Sequence, residues 1–404
     1  MNFNSRRDVA FLIRYREGIR IAFAWAVVTQ VVGLLFSIAL SSIAFGAACF
    51  LFAALTIGDR PRMLRPVGLE WPLLIYVASV AIMVVFARYR WDALVNARHV
   101  LLLADIYFIP AAFPRSDDLR RFVVTLCVAA ACWSCIEAAV YFVYQLDRLR
   151  FFQHYMTSAG IKMMVLLVTM PLIFSKEVSR GLRSLLSACS ACTFATLVLT
   201  LTRSSWLGLI AGVVLIGLLT YRTIILVSLV VVALFVLFAQ GMFRERILYM
   251  FTTENTPQHM RTVSSNSLRV RMWETGWIMF LDHPLVGVGE GRVRDIYREY
   301  VPDAFPDEGG HLHNNFIQIL ASRGIIGLAG FLCLLGGIGV YEWKAIRAHR
   351  NAIEGLFSLG ALAAFTGFVV NGLAEYNFGD HEILVLLFTS VGIAIAANRV
   401  NVVG

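Results

Sequence analysis

Uncharged apolar blocks, separated by short polar or basic connectors, recur along almost the whole chain. A helix needs about 20 residues to cross a hydrocarbon core of about 30 Å, and most of the blocks have that length. The first, Ile21–Gly58, is longer. At roughly 1.5 Å per residue it would make one helix of about 57 Å, so it predicts two spans joined by a turn near Ser41, Ser42 and Gly46. Further spans are predicted at Trp71–Ala87, Val100–Phe113, Phe122–Gln145, Ser158–Ser175, Ser184–Thr202, Ser204–Tyr221, Thr223–Gln240, Gly324–Tyr341, Gly355–Ala374 and Ile383–Asn398. Asp105 interrupts the fourth span and Pro171 the sixth. The pattern is that of an all-α polytopic membrane protein of about twelve transmembrane helices. It divides into residues 1–240 with the first nine spans, a large loop at 241–312, and residues 313–404 with the last three.

Composition agrees. The 404 residues are 59% apolar and only 15% charged, against roughly 25% charged in soluble chains. The net charge of +9 would suit nucleic acid, but its placement does not. Basic residues gather in short connectors: Arg60, Arg62 and Arg65, then Arg115–Arg121, Lys176–Arg183 and Lys344–Arg350. That is the signature of cytoplasmic anchoring, with both termini inside. No basic domain with interleaved aromatics exists, so nucleic acid is not expected as a partner. The apolar run after Arg20 is far longer than the roughly 7–15 residues of a signal-peptide core, so no cleavage is expected. The seven cysteines (Cys49, Cys127, Cys132, Cys135, Cys189, Cys192 and Cys333) lie within apolar blocks. They read as small packing residues rather than disulfides or metal ligands.

By parity, the large loop lies outside the cytoplasm. Its sequence predicts helices around Ser267–Leu281 and Val293–Tyr300, with a turn from His283-Pro284 through Gly291. No internal repeat is evident, which disfavours transporters built from inverted repeats.

Candidate chemistry sits on that same side. Arg203, in LTLTRSSWLGL, separates two uncharged runs at the membrane surface. It reads either as functional or as an arginine reaching phospholipid headgroups. Arg261, Arg269 and Arg271 share a stretch without acidic residues, and Arg269 lies one helical turn from Trp273. Such a face can grip a phosphate or simply be solvated. In HLHNNFIQILASRGIIG, helical spacing aligns His313 with Phe316, Ile317 and Leu320, while His311 points elsewhere and reads as a surface residue. A lone histidine on an apolar face is ordinarily a core residue, but this one opens a helix that faces the large loop. Glu375 and Asp380 can orient His313 or a bound substrate; the plainer expectation is that they are hydrated loop charges.

Three elements, in order, resemble a known family. His313-Asn314, followed after nine residues by Gly324-Ile-Ile-Gly327, is similar to the His-Asn and GxxG pattern of O-antigen ligases. SLRVRMW…DHPLVGVGEG, from Ser267 to Gly291, resembles the arginine, tryptophan and HPLxGxG segment shared by O-antigen ligases and polymerases. TRSSWLG, from Thr202 to Gly208, resembles that superfamily's TxSRxxxL element, except that Arg203 here precedes the serines. The resemblance covers roughly residues 185–395; the first half matches in hydropathy only.

The resemblance implies a GT-C-like glycosyltransferase in the bacterial inner membrane, active at the periplasmic face. Its donor would be O-antigen polysaccharide on undecaprenyl diphosphate, and its acceptor the lipid A–core oligosaccharide. Arg203 and Arg269 match the family's arginines and would stabilise the departing diphosphate. His313 would act as general base in a single, inverting displacement. Arg271, Asn314, Glu375 and Asp380 are supporting candidates. No cofactor is expected, and no metal: the first extracytoplasmic turn lacks the acidic residue that related enzymes use to hold one. An O-antigen polymerase or a protein oligosaccharyltransferase is the nearest alternative. A lipid or solute transporter is a more distant one, because the polar residues concentrate at one face instead of mid-membrane.

Overall fold

The computed structural model describes residues 6–220, 257–302, 310–349 and 352–400. The described residues are predominantly helical, with no β-strand among them. In order the helices are α1 (Arg6–Gly33), α2 (Ile38–Met63), α3 (Glu70–Phe86), α4 (Arg90–Ala97), a 3-10 turn (Arg98–Ala104), α5 (Asp105–Ala112), α6 (Ser116–Val143), α7 (Tyr155–Phe174), α8 (Arg180–Leu199) and α9 (Arg203–Leu219). Then come α10 (Pro257–Asp282), α11 (Val293–Tyr300), α12 (Asn315–Ala348), α13 (Ile353–Asn371) and α14 (His381–Val400). Among the described residues, eight helical segments are long and apolar enough to cross a membrane, and α3 and α9 are shorter apolar helices. This is a polytopic membrane protein. A helix stands at every expected span except Thr223–Gln240, which lies outside the described residues.

Two local expectations need correction. The turn between the first two spans is at Leu34–Ser37, not near Ser41–Gly46. Ser37 ends one helix, its amide bonding Gly33 O at 2.8 Å, and its hydroxyl accepts from Leu40 N at 3.2 Å to start the next. Ser41 and Gly46 lie inside α2, where small residues ease packing without breaking the backbone ladder. The fourth span is also discontinuous: α4 and α5 are joined by the 3-10 turn, and Asp105 opens α5. Gln30 of α1 donates to both Asp105 oxygens, at 2.9 and 3.0 Å, so this buried carboxyl group is hydrogen-bonded inside the bundle. Pro171 sits near the end of α7 without ending it.

Helices α7, α13 and α14 are the most deeply buried of the long apolar helices and form the centre; α2 and α8, the most exposed, form the rim. Large apolar side chains on the outside, such as Phe50, Ile57 and Trp71, suit a lipid-facing surface. At the centre α9 packs closely on α13. A Cβ at Gly208 would lie 2.6 Å from Gly367 O, and one at Gly212 would lie 2.8 Å from Ala363 O, so only glycine permits this approach.

The α12 helix is long, 34 residues, but it breaks at Gly324, whose φ and ψ are 63° and −165°. The break frees backbone groups that lipid cannot satisfy. The loop after α10 supplies the partners. Val288 N and Gly289 N donate to Ala321 O and Ser322 O at 3.0 and 2.9 Å, while Ile325 N and Ile326 N donate to Pro284 O and Leu285 O at 2.9 and 3.2 Å. Gly287, with φ 66°, passes against the Ser322 and Arg323 backbone, and Gly324 passes against Leu285 and Val286. A buried ion pair closes the joint: Arg323 reaches Glu290 at 2.7 Å and donates to the Tyr76 hydroxyl at 3.1 Å.

This joint predicts that Gly324→Ala destabilises the protein by more than about 1 kcal/mol, since alanine must adopt a left-handed backbone and has no room for its Cβ. Thermal unfolding in detergent would report it as a lowered Tm; an unchanged Tm would contradict the interlock.

Candidate active site

One end of the bundle gathers the α6–α7 loop, the α8–α9 turn, the start of α12, the α13–α14 loop and the described part of the large loop. His313 lies here, just ahead of α12. Helical spacing does not set its direction, contrary to the sequence expectation, because the helix begins only at Asn315. His313 has φ 48°, in the left-handed region where a side chain is disfavoured. Its aim comes instead from a set of hydrogen bonds around it.

Asn314 is the N-cap. Its side-chain oxygen accepts from Phe316 N at 2.8 Å and Ile317 N at 3.1 Å, and its amide donates to Leu373 O at 2.8 Å. Asn315 binds the same distant loop, donating from its backbone to Gly372 O at 2.8 Å and accepting from Phe378 N at 3.0 Å. On the other side, Trp273 of α10 donates to Leu312 O at 2.9 Å, and Gln318 accepts from Leu312 N at 2.8 Å. The two asparagines thus fasten the α13–α14 loop beside His313.

That loop carries Glu375, which is buried at 5% exposure. Its place against His313 overturns the reading of a hydrated loop charge. His313 Nδ1 lies 3.1 Å from each Glu375 oxygen, and Arg269 Nη2 lies 3.7 Å from one of them. Burial pushes the Glu375 carboxyl up, but the hydrogen bond and charge of His313, with the charges of His311 and Arg269, together hold it below the usual carboxylate range. A carboxylate only accepts, so the bridging hydrogen sits on His313 Nδ1, and in the neutral ring the lone pair is then on Nε2. The His313 side chain remains 21% exposed.

Arg203 opens α9 and is half-buried; the charge of Arg269 bears on it, so the two guanidiniums lie within electrostatic reach of one another. Arg271 follows on α10, with its backbone carbonyl accepting from Thr275 Oγ1 at 2.9 Å. Asp380 stands further along the loop and accepts from Thr157 at 2.9 Å, tying the start of α7 to this end. Burial, opposed by the Thr157 hydrogen bond and aided by the charges of Glu382 and Glu375, pushes Asp380 up to about 7.

Some neighbours escaped the sequence reading. His311 is not turned away: its ring centroid is 4.1 Å from that of His313, and its Nδ1 is 3.9 Å from Glu375. Burial first, then the charge of His313, holds His311 down to about 4 against the pull of Glu375. His154 is near enough to feel Glu375, Arg148 and His313, and burial lowers it too. Arg148 donates to Thr200 O at 2.6 Å and Leu201 O at 2.8 Å, gripping the turn that launches Arg203. The only sequence signal for Arg148 and His154 was their place in a polar connector on the same side as Arg203.

The fold and this end of the bundle define a membrane-embedded protein that presents an imidazole–carboxylate pair beside arginine. Residues 188–332, from α8 into α12, match the family model described as O-antigen ligase, and the match supports an O-antigen ligase family assignment for the chain. Members of that family are glycosyltransferase-like membrane enzymes. A comparison with curated proteins gives no match.

Loss of this cap in Asn314→Ala should lower stability by about 1 kcal/mol or more. Asn314→Asp keeps the cap but not the donor to Leu373, and should fall between. Thermal unfolding of the two variants separates these contributions; equal Tm values for both and for the parent would refute the assignment.

Proposed function

We propose that the protein transfers O-antigen polysaccharide from undecaprenyl diphosphate to lipid A–core oligosaccharide at the periplasmic face of the bacterial inner membrane. The observation that carries this reading is the His313–Glu375 hydrogen bond with Arg269 beside it, within a chain whose residues 188–332 match the O-antigen ligase family.

His313 acts as general base. Its Nε2 takes the acceptor hydroxyl proton as that oxygen attacks the anomeric carbon of the donor sugar. The bond from that carbon to the diphosphate oxygen breaks on the opposite face. The electron pair leaves with the undecaprenyl diphosphate, and the anomeric centre inverts. Glu375 is a positioning residue: it holds the tautomer with hydrogen on Nδ1 and favours the imidazolium that forms. The charge that develops on the departing diphosphate falls to Arg203 and Arg269, whose mutual repulsion is relieved by an anion lying between them. This chemistry needs no metal. Asn314 supports it by holding the loop that carries Glu375.

Arg203→Ala and Arg269→Ala should each lower transfer by about 10²–10³-fold, and His313→Ala by about 10²–10⁴-fold, all without loss of membrane insertion. Glu375→Gln should lower kcat while leaving KM for the donor nearly unchanged. The assay is transfer between defined lipid-linked donor and lipid A–core acceptor, with EDTA present, using protein purified in detergent. Full activity of His313→Ala would remove the base assignment. Cysteine-accessibility labelling that put positions 203, 269 and 313 on different sides of the membrane would overturn the site.

A further inference from the structure

We propose that His311, His313 and Glu375 form a zinc site whose occupancy switches the enzyme off; the inhibition rests on His313 being the base of the transfer reaction. Two imidazoles and a carboxylate are a donor set that zinc takes with one position left open. One ligand atom from each residue lies within 4.8 Å of the others, His313 Nδ1 at 3.1 Å and His311 Nδ1 at 3.9 Å from Glu375. Tetrahedral zinc with bonds of about 2.0–2.1 Å requires donors roughly 3.3–3.5 Å apart, so small side-chain rotations complete the set. The His311 Nδ1 atom is shielded from solvent and has no hydrogen-bond partner among the described residues, so no existing bond has to be broken for it to take a metal. The rings meet at 67°, edge to face rather than stacked.

Zinc and catalysis then exclude each other. In the transfer-competent state His313 carries its hydrogen on Nδ1 and offers the Nε2 lone pair. A Zn–Nδ1 bond takes the nitrogen that faces Glu375, and the hydrogen moves through solvent to Nε2. The imidazole stays neutral, no net proton is released, and the outward nitrogen can no longer accept one. Glu375 exchanges its hydrogen bond to His313 for a bond to the metal. Arg269, 3.7 Å from the same carboxylate, competes with zinc for it, which makes the site reversible rather than a permanent structural centre.

The test is calorimetric titration of the full chain in detergent with zinc sulfate, alongside the transfer assay. One zinc per chain is expected, with affinity reduced at least about tenfold in His311→Ala. Zinc should stop transfer by the parent protein and EDTA should restore it. His311→Ala, scored against its own zinc-free rate, should tolerate at least about tenfold more zinc than the parent. Zinc binding no tighter in the parent than in His311→Ala, or equal zinc sensitivity of the two, would overturn the site. If the parent transfers sugar but binds no zinc, the switch is rejected and the proposed reaction stands. If the parent shows no transfer with any donor, the proposed reaction and the switch fall together, while the titration still decides whether the metal site exists.

Discussion

A backbone that breaks inside an apolar bundle must find its hydrogen bonds within the protein, because lipid offers none. Everything at the active end follows from how this chain meets that demand at Gly324. Four bonds to the Pro284–Gly289 loop replace the missing helical ladder. Two glycines let the segments interpenetrate, and the Arg323–Glu290 pair seals the contact with Tyr76. Breaking such a buried pair by removing one partner costs about 3–5 kcal/mol, so the joint has essentially one arrangement. Gly327 belongs to it as well, since a Cβ there would collide with the Arg323 side chain. The break frees the Asn315–Arg323 segment from the direction of the long span below it, and that segment presents its N-terminus and His313 to the rest of the site.

Positioning of the imidazole is then a matter of local caps. Asn314 ends the helix ladder, Trp273 and Gln318 hold the residue before His313, and the two asparagines bring in the loop that bears Glu375. These contacts join segments far apart in sequence; His313 and Glu375 are 62 residues apart. The order is causal: without the asparagine clamps, a carboxylate in an extramembrane loop would stay hydrated, as the sequence alone suggested.

The same order explains what was legible beforehand. Spans were readable because the cost of an unsatisfied backbone or charge in lipid forces long uncharged runs, whatever the packing. The helices at 267–281 and 293–300 were readable from their spacing and emerge within α10 and as α11. The first turn was misplaced because small polar residues such as Ser41 serve both turns and close helix packing. His313 was assigned to a helical face because periodicity cannot signal a left-handed residue one step before an N-cap. Glu375 and His311 were undervalued because their importance comes from a partner brought near only by the fold. The glycine motifs were recognised as a family pattern; their physical meaning, two halves of one joint, needed the three-dimensional contacts.

Strain points to the same end of the molecule. Among the described residues, the non-glycine positions with positive φ are Gln145, Phe152, Leu201 and His313. Gln145 and Phe152 lie in the α6–α7 loop, Leu201 in the α8–α9 turn and His313 before α12. Such conformations cost of order 1–3 kcal/mol each and persist only where surrounding contacts impose them. At Leu201 the imposing group is Arg148, which grips the carbonyls of Thr200 and Leu201 and stacks on Tyr155 with its guanidinium carbon 3.5 Å from the ring centroid. At the opposite end, connections such as the Arg399 bonds to Arg65 O and Pro66 O join segments whose described residues have no such strain. An apolar bundle needs only close packing to be stable. The strained turns are therefore better understood as the means of fixing Arg203 and His313 on one face than as products of helix packing.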